Sequence, residues 1–106
     1  MFLIIYITHS SEENAKVLTD SLLKEQLIAC ANIFPIQSAY WWKNEIQNDD
    51  EFVSLVKTTP NLWERVKKRV EELHPYDVPA IIKMEVEAND AYEEWIKTSV
   101  ISDQSE

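Results

Sequence analysis

The chain has no glycine in its 106 residues. Phosphate-cradling loops, dinucleotide fingerprints, nucleophile elbows and EF-hand loops all bring backbone to places where a Cβ collides. None of them exists here in its standard form. Cysteine is nearly as scarce. Cys30 is the only one, which excludes an internal disulfide, a CxxC redox pair and a cysteine-based zinc finger. The absence of disulfides suits a reducing compartment. Long hydrophobic runs are missing as well, and nothing approaches the ~18 apolar residues that a bilayer-spanning helix needs. The opening MFLIIYITHSSEE has neither a preceding basic region nor a small-residue cleavage site, so it reads as a strand and not as a signal peptide. Positive charge is thin: Lys and Arg number 10 against 19 Asp and Glu, a formal net charge of −9. Such a surface repels phosphate backbones and anionic lipid, so neither nucleic acid nor a membrane is an expected partner.

What is present suffices for one domain spanning 1–106. Leu, Ile, Val and Phe together make 30 of the 106 residues, above the level at which chains of this kind stay disordered. Phe2 to Thr8 is almost continuously apolar and β-branched, which suits a strand buried in mid-sheet. Ser10 as cap and Glu13 three residues on form a capping box. Ala15, Leu18 and Leu22 follow at helical spacing, so a helix is expected at about 11–27. Residues 28–43 are β-branched and aromatic, with Pro35 marking a bulge, a bend or an edge. Lys43-Asn44 reads as a two-residue turn, because Asn tolerates positive φ. The return strand is expected over about 45–58, with a solvated acidic centre at 48–51. Thr59 and Pro60 begin a second helix that Pro75 ends near Leu73. Ala80, Ile82, Met84 and Val86 alternate with less apolar neighbours as a strand with one apolar face. Asn89 or Asp90 caps a last short helix carrying Tyr92, Trp95 and Ile96, and the tail frays from about 101.

The order β-α-β-β-α-β plus a terminal helix is the split βαβ pattern of a ferredoxin-like α/β sandwich, with sheet order 4-1-3-2 and both helices on one face. Tyr40, Trp41 and Trp42 are consecutive, so both faces of a long edge hairpin carry aromatic surface that this chain has little to cover. Either the hairpin bends back over its own sheet, or the edge adds strands to another copy, giving a closed homo-oligomer.

Five blocks carry a resemblance: Leu27-Ile28-Ala29-Cys30-Ala31-Asn32-Ile33, Tyr40-Trp41-Trp42, Leu55-Val56-Lys57-Thr58, His74-Pro75-Tyr76-Asp77-Val78-Pro79-Ala80-Ile81 and Tyr92-Glu93-Glu94-Trp95-Ile96. In this order they resemble the CutA divalent-cation tolerance proteins over about residues 2–97. The resemblance implies a homotrimer built by strand pairing between subunits and similar to the PII signalling proteins. It also implies a cytoplasmic setting, a link to copper and other divalent metals, and no enzymatic reaction. Asn44 stands where that family usually has Gly. The metal pattern of some bacterial members has a cysteine near the end of the first strand and a His-His pair before Pro-Tyr. The matching positions are Ile7 and Leu73-His74, so only His74 carries over.

The topology places His9, just past the first strand, beside His74 and Asp77 at one end of the sheet. Two imidazoles and a carboxylate suit Cu(II) or another divalent cation such as Zn(II), with no metal needed for folding. Against this, His74 closes a helix at its negative dipole end, a place that favours a histidine with no metal at all. Cys30 is either a small buried hydrophobe or a soft Cu(I) ligand. Tyr40, Trp42, Glu51, Lys57 and Tyr76 would line clefts between subunits, or simply pack there. Ser10, Ser11 and Cys30 lack a His-plus-acid partner set, so no enzyme is expected. Two functions stay open on this basis: metal tolerance through weak metal binding or signalling, and a trimeric scaffold or small-molecule sensor linked to metal only indirectly.

Overall fold

The computed structural model describes residues 1–102. The elements are β1 (Phe2–His9), α1 (Glu12–Lys24), β2 (Cys30–Trp42), β3 (Glu45–Thr58), α2 (Trp63–Leu73), β4 (Ile81–Val86) and α3 (Asp90–Ser99). One four-stranded antiparallel sheet runs in the order β2-β3-β1-β4. This is the expected ferredoxin-like arrangement.

Alternation along β1 sorts the sheet into two faces. Leu3, Ile5 and Ile7 point to one side and are sealed with Leu18 and Leu22 of α1, Val66 and Val70 of α2, and Leu62. Each such side chain contributes about 1.5–3 kcal/mol when fully buried. The other face carries Phe2, Ile4 and Tyr6, which pair in register with Val86, Met84 and Ile82 of β4. The apolar face of β4 is therefore the one turned away from α1 and α2, and Ile82 is 53 % exposed. From α3, Tyr92 reaches that face at the Phe2 end, ring edge to ring face at 6.0 Å.

Four local expectations change. Ser11 caps α1, accepting from the Asn14 N–H, while Ser10 bonds the Asn14 side-chain amide. The helix stops at Lys24, where Gln26 takes φ 58°. Its N–H meets the Leu23 carbonyl and the Leu27 N–H meets that of Leu22, both at 3.0 Å. This is a Schellman ending, with Gln in the place that glycine usually takes. Thr59-Pro60 starts a 3-10 turn, Pro60–Leu62, that leads into α2. The tail is tied down at 101: the Ile101 N–H donates to the Gln26 carbonyl at 2.9 Å. The rest of the expected frayed tail, 103–106, lies outside the described residues.

The β2–β3 hairpin outruns its sheet. Residues 52–58 of β3 pair with β1, but residues 45–51 pair only with β2. At about 3.4 Å per residue that overhang is roughly 24 Å long. It turns at Lys43 and Asn44, both at positive φ (53° and 67°), which is the signature of a type I′ turn.

Candidate functional site

The antiparallel pairing of β1 with β4 brings His9 and His74 together, as the topology requires. Their rings stack with centroids 5.5 Å apart and planes 19° apart, and both are buried. His9 ends β1 on the helix side, where its Nε2 lies 2.8 Å from the Ser54 hydroxyl of β3. His74 follows α2, and its backbone N–H closes the helix on the Val70 carbonyl. The His74 Nε2 lies 2.7 Å from the Thr8 carbonyl, which can only accept, so Nε2 carries the proton. Nδ1 then accepts the Tyr76 N–H at 3.2 Å. Both ring nitrogens of His74 are thus engaged. Burial, and then the neighbouring His74, push the His9 pKa down to about 4.

Asp77 does not join this pair. Strand β4 begins at Ile81, later than its alternation suggested, because Pro75 and Pro79 hold the intervening stretch out of the sheet. Asp77 instead lines a cavity on the other face. Cys30 is remote from both, with its Sγ 3.6 Å from the Tyr92 hydroxyl. Among the described residues, no group of three or more His, Cys, Asp or Glu side chains has the geometry to hold a metal ion. The residues present do not fit a closed chelate within one chain.

The expected cleft residues split in the same way. Tyr40, Trp42, Glu51 and Tyr76 line one cavity of about 1150 Å³ between the hairpin and the loop before β4. Lys57 lies elsewhere, bonded to Asn32 at 2.8 Å and to the Tyr92 hydroxyl at 3.2 Å, across from Cys30. The cavity also holds Asp49, Asp50 and Asp77. Alternation along β3 puts Asp49 and Glu51 on one face, and each accepts a tyrosine hydroxyl. Tyr40 donates to Asp49, and Tyr76 donates to Glu51 at 2.5 Å. Burial and then the Glu51 bond hold the Tyr76 hydroxyl protonated, well above its ordinary range. Tyr40 shifts the same way, chiefly through its bond to Asp49. Glu51 is only 8 % exposed, so the acidic centre of β3 is not wholly solvated as expected. The sequence pattern that carried this was the i, i+2 spacing of the two acids beside Tyr40.

The model for the CutA1 divalent ion tolerance protein family matches residues 3–99. The divalent-cation tolerance protein CutA of Pyrococcus horikoshii is 45 % identical over 95 residues, covering 89 % of this chain and 93 % of that one. The crystal structure of CutA1 from Pyrococcus horikoshii superposes with a TM-score of 0.92 at 42 % identity, covering 94 % and 99 % of the two chains. The PII-like protein CutA from Nostoc sp. PCC 7120 superposes at 0.88 with 28 % identity, covering 95 % and 98 %.

Proposed function

Because the chain belongs to the CutA1 divalent ion tolerance protein family, we propose that it is a non-enzymatic divalent-cation tolerance protein. It works in the cytoplasm as a homotrimer of single-domain subunits, with copper among its cations. The observation that carries the assembly is the bare hairpin: Trp41 is 70 % exposed, Ile46 is 61 % exposed, and among the described residues no strand lies on the outer side of β2. Edges of this kind are covered by pairing. Cation contact is weak. The His74 nitrogens are committed, and the attraction comes from an acidic surface that salt screens.

Light scattering at micromolar concentration tests the assembly, with an expected mass three times that of the 12.4 kDa chain. A copper challenge tests the function. Expression of the chain raises the copper concentration that a copper-sensitive host survives, and an unchanged survival curve overturns the tolerance role. The cavity favours a second reading, in which the trimer is a scaffold whose clefts hold a small molecule.

A further inference from the structure

We propose that a smaller cavity, between α1 and the end of α2, binds a small neutral amide: a carbonyl and an N–H carried on a short branched alkyl group. The cavity is lined from the end of β1, from α1 and from the end of α2, on the helix side of the sheet. No hairpin residue belongs to it, so the site is separate from the ribbon that another copy would cover.

One buried donor carries the argument. His9 is 1 % exposed, and its Nε2 is taken by the fully buried Ser54 hydroxyl. Among the described residues no partner reaches its Nδ1. No sealed side-chain nitrogen or oxygen among those residues lacks a partner, so Nδ1 is open to the cavity that its ring lines. Ser54 settles the tautomer. A buried O–H without an acceptor is costly, and His9 is the partner that this hydroxyl has, so it donates to Nε2. Burial keeps the imidazole neutral, with a pKa of about 4. The neutral ring then carries its proton on Nδ1. A buried N–H therefore faces the cavity and calls for an acceptor.

The rest of the lining sets the class. Ser10 accepts from the Asn14 side-chain amide, which leaves the Ser10 O–H to donate and the Asn14 Oδ1 to accept. Among the described residues no Asp, Glu, Lys or Arg lines the cavity, so a full charge would lie there uncompensated. Donors beside an acceptor match a neutral carbonyl and N–H. Val17 and Leu73 add apolar wall, and Val17 is 61 % exposed, an apolar rim on α1. The volume of about 280 Å³ stands against ~150 Å³ for a cavity that holds benzene, so the occupant is small.

The probe is isobutyramide, titrated into the full chain with nitrogen-15-labelled histidine and followed by NMR on the ring and backbone N–H signals. The free protein should show His9 protonated on Nδ1. One saturable site per chain is expected, with a dissociation constant of roughly 1–10 mM, the scale for about six non-hydrogen atoms. Isobutyrate, the same shape with a charge, should bind about tenfold more weakly. His9→Phe keeps a ring against His74 and removes the donor, which should weaken the amide about tenfold. Val17→Asp should weaken it by a similar factor. Val17 is exposed, so its variant reports on the site even if His9→Phe folds poorly, which circular dichroism reveals. Asp20→Asn, an exposed acid on α1 paired with Lys24, leaves binding unchanged. The proposal is overturned by a His9 proton on Nε2, by no saturation up to roughly 100 mM amide, by isobutyrate binding as tightly, by undiminished binding in Val17→Asp, or by equal weakening in Asp20→Asn.

Discussion

At the scale of single residues, His9 is a group whose protonation the fold opposes. Its pKa in the folded chain is about 4, against an ordinary 6.5. Between these values the unfolded chain binds more protons, so stability rises with pH. The contribution is complete above pH 6.5 and is lost as pH falls toward 4, reaching about 3 kcal/mol. Urea midpoints measured at pH 7 and pH 4.5 should therefore differ, and His9→Gln should flatten the difference. Glu25 and Glu93 are held below the ordinary carboxylate range by bonds to Arg69 and to the N-terminal ammonium. Their stabilisation is present above the ordinary value of 4.5 and disappears only at still lower pH, so it does not mask the His9 step. The meeting of His9 and His74 was legible in the sequence, because antiparallel pairing of the first and last strands dictates it. The exclusion of Asp77 was not. The two prolines were visible, but their distance from the first residue of β4 is settled by the strand's register.

At the scale of elements, a chain without glycine must bend with what it has. Gln26 ends α1, and Lys43 and Asn44 close the hairpin, all at positive φ. A residue with a Cβ pays roughly 1 kcal/mol for that conformation. Gln26→Gly and Asn44→Gly should each raise stability by about 0.5–1 kcal/mol, read as higher denaturation midpoints, whereas glycine at Val66 inside α2 should do the reverse. The hairpin turn was legible because Asn is the usual substitute for Gly. The Schellman ending was not, since Gln carries no signal for it, and helical spacing alone ran the helix on to Leu27. The β-α-β-β-α-β order was legible from helical spacing in α1 and α2, alternation in β4, and β-branched or aromatic runs in β1 and β2. The contacts of Tyr92 with Phe2, Cys30 and Lys57 were hidden. They depend on how a short terminal helix folds back, which local pattern does not encode.

At the scale of the whole molecule, the radius of gyration is 14.5 Å and the longest axis 44 Å, against about 13 Å for a compact chain of this length. The excess is the hairpin overhang. Deleting residues 40–47 and closing the ribbon with Asn-Gly should leave the α1–α2 core folded, since none of its members lies in the overhang. It should also reduce the scattering mass to that of one chain; a trimer surviving the deletion would place the interface elsewhere. Each copy brings a charge of −9, so any assembly gathers loose counterions, and metal titrations must hold at high salt to mean more than that.

A ribbon clamped at one end and bare at the other is a cantilever with an adhesive tip. Every newly made chain holds Trp41 out in the open until something lies against it. Until then that bare edge is a place where one copy can stick to the wrong neighbour.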